Sequence, residues 1–114
     1  MRPLSIRELS SLTVTRTKGN EAYRNLTDHL ASTDRLWIDL RNHELISFSF
    51  LDQLISRLDD SQVLQKITFI LASDSSYERL AQIAALRNAT IYYQKDDHDS
   101  PKTIQFRDAV SRTG

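Results

Sequence analysis

Short apolar runs alternate along this chain with segments whose apolar residues recur every three or four positions. The runs are rich in β-branched and aromatic residues, and they predict strands at 35–40, 66–72 and 89–93. The run at 66–72 is apolar at nearly every position, as expected for a strand buried on both faces. Two shorter segments, 4–6 and 13–15, predict one or two additional strands at the sheet edge.

The segments between these runs have the periodicity of amphipathic helices. One helix is predicted at about 19–29, a second begins near residue 50, and a third follows Ser75, which has the spacing of a capping box with Glu78. The apolar stripes of the last two helices are Phe50, Leu51, Leu54, Ile55 and Leu58, and Tyr77, Leu80, Ala81 and Ala84. Such alternation requires parallel pairing with right-handed crossovers. The predicted fold class is α/β, with a mixed, mostly parallel sheet of about four to five strands and about three helices.

The composition becomes polar near the C-terminal end, which indicates that the α/β domain ends there. The chain of 114 residues suits one domain. The α/β pattern occupies 1–94, and a polar C-terminal extension follows at 95–114, in which 103–106 predicts a short strand. We see no signal peptide and no apolar stretch long enough to cross a bilayer, so we expect a soluble, cytoplasmic protein.

Charge and residue usage limit the kinds of binding or catalytic site that we expect in this chain. Fifteen Lys and Arg balance fifteen Asp and Glu, which gives no support for nucleic-acid binding. The chain has no cysteine, two glycines and no phosphate-binding or hydrolase motif, so we expect neither a cofactor nor a catalytic residue. The three histidines lack metal-ligand spacing, and the acidic cluster at 96–99 reads as a solvated turn, so we expect no metal.

Polar residues follow two of the predicted strands, at the edge where α/β sheets meet ligands and partners. Those after the first strand are Asp39, Arg41, Asn42, His43 and Glu44, and those after the second are Ser73, Asp74 and Ser75. Ser47 and Ser49 stand at the start of the helix near residue 50.

The segment 36–54 reads LWIDL, five further residues, and then ISFSFLDQL. It resembles the STAS-like domains of unknown function, in which a strand ending in Asp-Phe or Asp-Leu precedes an Ile-Ser-Ser-Ser-Phe-x-Asp-Glu-Leu segment. The segment 14–19 reads VTRTKG and precedes a predicted helix. It is similar to the second strand and the start of the first helix in the same family. The resemblance covers roughly 10–95.

Wider relatives of that family are the anti-sigma-factor antagonists, which carry an Asp-Ser-Ser/Thr-Gly switch between strand and helix. The resemblance places Ser49 at the serine that an ATP-dependent kinase phosphorylates in those proteins. It places Ser47 at the acidic position, Phe48 at the first serine and Phe50 at the glycine, so the acidic residue and the glycine are absent here.

Each candidate residue also has a purely structural interpretation. Ser47 or Ser49 would serve as the N-cap of the helix, although the start of a helix also stabilises an added phosphate. Asp52 would favour the positive end of the helix dipole. Asp39 would accept backbone hydrogen bonds from the following loop, and Arg16 would form an ordinary ion pair or clamp a carboxylate or phosphate.

The leading hypothesis is a bacterial regulatory domain that binds a protein partner, such as a kinase-like ATPase or a transcription regulator, and is switched by serine phosphorylation. The phosphorylation candidates are Ser49 and Ser47. The expected partner-binding residues are Asn42, His43, Phe48, Ser49, Asp52, Gln53, Ser73, Asp74 and Ser75. The alternative is a small-ligand or nucleotide-binding module that uses the carboxyl ends of the same strands.

Overall fold

In the described part of the chain, five strands form one sheet whose spatial order follows the order of the chain. The structure is a computed structural model and describes residues 3–41, 46–71, 73–95 and 100–105. The strands are β1 (Leu4–Ser5), β2 (Leu36–Asp39), β3 (Ile67–Ile70), β4 (Ile91–Gln94) and β5 (Lys102–Ile104). Neighbouring strands from β1 to β4 pair in parallel, and β5 pairs antiparallel with β4. The predicted α/β class with a mixed, mostly parallel sheet is confirmed.

The helices form one layer over this sheet. They are α1 (Ile6–Leu9), α2 (Arg16–Leu30), α3 (Phe48–Asp60) and α4 (Asp74–Arg87), and a 3-10 turn at Leu64–Lys66 precedes β3. Each of α2, α3 and α4 joins two neighbouring parallel strands, and right-handed crossovers that advance in one direction lie on the same face of the sheet. Because α2 packs against α3 and α3 packs against α4, α3 is the central helix.

The core lies between the sheet and this helix layer. Side chains alternate between the two faces of a strand. Ile38 and Phe69, which are register partners, are fully buried in one hydrophobic cluster with Leu54 of α3. Ile70 is also fully buried but does not belong to that cluster, since it points to the other face.

Hydroxyl caps set where the three long helices begin. Thr15, Ser47 and Ser73 are the N-caps of α2, α3 and α4, and each side chain accepts a hydrogen bond from the backbone N–H three residues later. The prediction of a strand at 13–15 is therefore wrong, because Thr15 caps a helix and the Thr13 carbonyl accepts the Ser47 N–H instead of a strand partner. For the same reason α2 begins at Arg16, about one turn earlier than predicted.

Two further boundaries differ from the sequence pattern. The start of α4 was predicted near a capping box at Ser75, but the cap is Ser73, which accepts the Ser76 N–H, and Ser75 is already helical. The last strand covers 102–104 instead of 103–106, and it pairs with β4. The sheet thus includes part of the segment that composition assigns to the polar extension.

Gly19 brings α2 close to α3. A Cβ atom at this position would lie 2.7 Å from the Phe50 carbonyl oxygen and 2.9 Å from the Gln53 Cβ. The backbone of Gly19 has no positive φ, so its role is the absence of a side chain and not unusual backbone freedom. At the next residue, the Asn20 side chain accepts a hydrogen bond from Gln53 Nε2 at 2.9 Å.

We expect Gly19→Ala to lower the free energy of unfolding by about 1–3 kcal/mol, because the overpacked contact outweighs the better helix propensity of alanine. Urea denaturation would measure the change, with Arg24→Ala, an exposed position on the same helix, as the control. A Gly19→Ala chain as stable as the wild type would show that the α2–α3 spacing can relax.

Candidate functional site

The candidate site lies where α3 and α4 begin, at the carboxyl ends of β2 and β3. These two ends are neighbours, since Asp39 pairs in register with Ile70. The chain leaves them and reaches the capping residues Ser47 and Ser73. Two helix starts therefore stand side by side at one edge of the sheet, as parallel-sheet topology predicts.

The structure distinguishes the two phosphorylation candidates. The Ser47 hydroxyl accepts the Phe50 N–H at 3.1 Å, and the Ser47 N–H donates to the Thr13 carbonyl at 2.9 Å. Ser49 is the second residue of α3 and is half-buried, and no hydrogen bond engages its hydroxyl within the part of the chain that the structure describes. Ser47 is thus the structural cap of α3, whereas the Ser49 hydroxyl takes no part in capping.

The start of α4 presents a cluster of hydroxyls. Ser73 Oγ lies 2.9 Å from Ser75 Oγ and 3.4 Å from Ser76 Oγ. Ser73, Asp74 and Ser75 are all exposed. Phe48, the first residue of α3, is half-buried and packs against the edge of the core. We call these exposed and half-exposed residues the helix-start surface: Phe48, Ser49, Ser73, Asp74 and Ser75.

The strand end at Asp39 is fixed by local hydrogen bonds. Its carboxylate accepts the Arg41 backbone N–H at 2.8 Å and receives the Arg41 guanidinium through Nε and Nη2, both at 3.0 Å. Asp39 therefore orients the backbone and side chain of Arg41, directly after the strand, which is the kind of structural role expected for it. The predicted partner-binding residues Asn42 and His43 lie outside the described residues.

Asp52 is buried, with only 1% of its side chain exposed. Its Oδ2 accepts Arg16 Nη1 at 2.8 Å and Arg87 Nη2 at 2.8 Å, and its Oδ1 accepts Arg87 Nε at 3.0 Å. Arg16 is the first residue of α2 and Arg87 is the last residue of α4. We call Arg16, Asp52 and Arg87 the Asp52 cluster; it joins all three long helices.

Ion pairing, and not the helix dipole, holds Asp52. Because α3 begins at Phe48, Asp52 is its fifth residue, and the effect of the dipole falls off after the first turn. The Arg87 guanidinium, with a smaller contribution from Arg16, keeps the pKa of the Asp52 carboxyl below its ordinary value, although burial acts in the opposite direction. Asp52 in turn raises the pKa of Arg87. Asp52 is thus ionised at neutral pH.

Sequence reasoning anticipated an ion pair for Arg16 but missed Arg87. The helical pattern places Asp52 on the polar face of α3, which predicts exposure. It is buried because two long side chains from other helices cover it, at sequence separations of 35 and 36 residues. The other predicted residue on this part of α3, Gln53, is half-buried and bonds to Asn20.

A concave surface lies at the opposite edge of the sheet, where β2 and β3 begin. It is an open groove of about 730 Å³, lined by the α2–β2 connection together with Trp37 and Lys66. The small-ligand alternative places its ligand at the carboxyl ends of the strands. Because this groove lies at the other ends of the strands, it does not support the small-ligand alternative.

Among the described ranges there is no group of three or more His, Cys, Asp or Glu placed to hold a metal ion. The acidic cluster at 96–99 falls outside those ranges. Of the helices described, none has the length and apolar character to span a bilayer. Comparisons of the chain with protein-family models, with curated proteins and with solved structures gave no significant match.

We expect Asp52→Asn to lower the free energy of unfolding by about 2–3 kcal/mol at pH 7. Breaking a fully buried ion pair costs about 3–5 kcal/mol, but Arg16 and Arg87, which are 50% and 33% exposed, can be rehydrated. Urea denaturation would measure the loss, with the exposed Asp59→Asn as the matched control. Equal losses for the two variants would contradict a special role of Asp52.

The contribution of Asp52 also has a pH signature. Its pKa is lower in the folded state than in the unfolded chain, so its ionisation stabilises the fold above about pH 4 and this stabilisation is lost as pH falls through the folded-state pKa. We therefore expect the stability difference between wild type and Asp52→Asn to be constant from pH 7 to about pH 5 and to shrink below about pH 4. A difference that does not change down to pH 3 would show that Asp52 is not held as a carboxylate.

Proposed function

We propose that this chain is a regulatory domain that binds a protein partner through the helix-start surface, with Ser49 as its switch. The observation that carries the proposal is the pairing of two capped helix starts at adjacent strand ends. They present the free hydroxyl of Ser49 beside the half-buried ring of Phe48 and the exposed hydroxyls of α4.

The surface combines an aromatic anchor with polar groups around it. Phe48 keeps part of its ring exposed while the rest packs on the core, so a partner that covered it would bury apolar area without unfolding the helix. Ser73, Asp74 and Ser75 provide hydrogen-bonding groups on the neighbouring helix start. This arrangement of an apolar centre beside a polar rim is typical of protein-binding surfaces.

Ser49 is suited to act as a switch because of its place in α3. At the second helical position a phosphate is favoured by the open N–H groups and the partial positive charge of the helix start. About two negative charges added beside Phe48 would change what this surface can bind. The same residue is the one that the resemblance to anti-sigma-factor antagonists aligns with their phosphorylated serine.

The class of partner follows from the resemblance and not from the geometry. By that analogy the chain is similar to STAS-like signalling domains of the bacterial cytoplasm, and its partner is a kinase-like ATPase or a transcription regulator. In this role the domain binds and releases proteins and performs no catalysis itself.

We expect Ser49→Asp to abolish or weaken by at least tenfold the binding of a partner that the wild-type domain retains from the lysate of its native host. The charge would be placed in the middle of the helix-start surface while the cap at Ser47 stays intact. The matched control is Ser56→Asp, two turns further along the same face of α3, which should bind as the wild type does.

Affinities would be measured by calorimetry with the purified partner, after thermal unfolding has shown that both variants are folded. Equal affinity for wild type and Ser49→Asp would contradict the switch. Failure of any bait to retain a protein above background would contradict the interaction itself.

A further inference from the structure

Ser49 lies on the same outer face of α3 as the Asp52 cluster. Asp52 follows Ser49 by three residues, and side chains at this spacing are neighbours on a helix, with Cβ atoms about 5–6 Å apart. The flank of α3 that faces α2 is marked by the hydrogen bond between Gln53 and Asn20. At about 100° per residue, Ser49 lies about 40° from Gln53 and about 60° from Asp52 around the helix axis. Around the axis of α3, Ser49 therefore lies between Asp52 and the flank that faces α2.

Arg16 must pass this position to reach its partner. Gly19 contacts the backbone of Phe50, and Arg16 precedes Gly19 by three residues, so α2 begins beside the first turn of α3. From there the Arg16 guanidinium extends across the outer face of α3 to Asp52, where Nη1 and Oδ2 are 2.8 Å apart. Helix geometry therefore places the Arg16 side chain beside Ser49 along this path.

The two arginines hold Asp52 unequally. Arg87 makes two hydrogen bonds, one to each carboxylate oxygen, whereas Arg16 makes one. Half of the Arg16 side chain is exposed, and its other N–H groups have no hydrogen-bond partner within the described residues. If Arg16 were to leave, both oxygens of Asp52 would still be paired. Arg16 is thus the exchangeable member of the Asp52 cluster.

We propose that Arg16 is the internal receptor for a phosphate on Ser49, and that phosphorylation transfers this guanidinium from Asp52 to the phosphate. This Arg16 clamp rests on the proposed function, in which Ser49 is the modified residue. A phosphate carries about twice the charge of a carboxylate and offers three acceptor oxygens, so it competes well for a guanidinium that a single bond retains.

The modification itself requires ATP and a kinase as the co-reactants. The Ser49 hydroxyl oxygen forms a bond to the γ-phosphorus, the bond between that phosphorus and the β–γ bridging oxygen breaks, and ADP leaves. The hydroxyl proton passes to a base of the kinase. No oxidant or reductant takes part.

The exchange gives phosphorylation a defined structural consequence. Asp52 keeps its two bonds from Arg87, so α3 and α4 stay linked, while the link from α2 moves about one turn toward the start of α3. The domain remains folded. The partner-binding surface changes because a phosphate, partly neutralised by Arg16, now lies beside Phe48.

The test is a ³¹P NMR titration of the full chain carrying biosynthetically incorporated phosphoserine at position 49. The second pKa of phosphoserine is about 6. We expect the guanidinium of Arg16 to lower it by roughly half a unit or more, against the opposing effect of the Asp52 carboxylate. Arg16→Gln should raise this pKa relative to the phosphorylated wild-type chain, and the matched control Arg24→Gln, exposed on the same helix, should leave it unchanged.

A second measurement needs no variant. The Nε–H resonance of Arg16 in the wild-type chain should shift on phosphorylation of Ser49, while that of Arg24 stays in place. An unmoved Arg16 resonance, or a phosphate pKa that Arg16→Gln does not change, would overturn the Arg16 clamp.

These outcomes are separate from those of the proposed function. If the phosphorylated chain shows the lowered pKa but no partner distinguishes it from the unmodified chain, the proposed function fails and the clamp stands. If a partner distinguishes the two forms while Arg16→Gln leaves the phosphate pKa unchanged, the clamp fails and the switch stands.

Discussion

A carboxylate buried between three helices is the constraint on which the rest of this structure depends. An ionised group removed from water destabilises a fold by several kcal/mol unless it is paired and hydrogen-bonded. Asp52 meets that condition through Arg87 at the end of α4, which bonds both carboxylate oxygens, and through Arg16 at the start of α2, which adds a third bond. The ion pairs therefore specify how the three helices lie against one another, in addition to the apolar packing beneath them.

The same helix carries the candidate site. The first residues of α3 contribute Phe48 and Ser49 to the helix-start surface, and its fifth residue is the centre of the Asp52 cluster. Close packing at Gly19 brings α2 near enough for Arg16 to cross the outer face of α3. The proposed binding surface and the Asp52 cluster thus lie within about one and a half turns of one helix.

Local patterns were sufficient to predict the framework of this fold. The apolar runs located β2, β3 and β4, and their alternation with amphipathic helices predicted the parallel pairing. The helix starts were predicted less well. Thr15 looks like a strand residue because it is β-branched, yet its hydroxyl caps α2. Ser75 has the spacing of a capping box with Glu78, but the N-cap of α4 is Ser73, two residues earlier.

The Asp52 cluster could not be read from periodicity. A helical pattern assigns each side chain to a face, but it does not show that arginines from two other helices will cover a polar position. That information lies in contacts between residues 35 and 36 positions apart. The candidate site was predicted in outline, since topology alone places the starts of α3 and α4 together. The division of roles between Ser47 as cap and Ser49 as free hydroxyl required the structure.

The most direct test of this account is a ¹³C NMR titration of the Asp52 side-chain carboxyl in the folded wild-type chain. Because Arg87 and Arg16 hold this group as a carboxylate, the account predicts that its pKa lies below the ordinary value of an aspartate, or that it is protonated only when the chain unfolds. A midpoint at the ordinary value of about 3.9 or above would contradict it, since Asp52 would then not be the paired charge that joins the three helices.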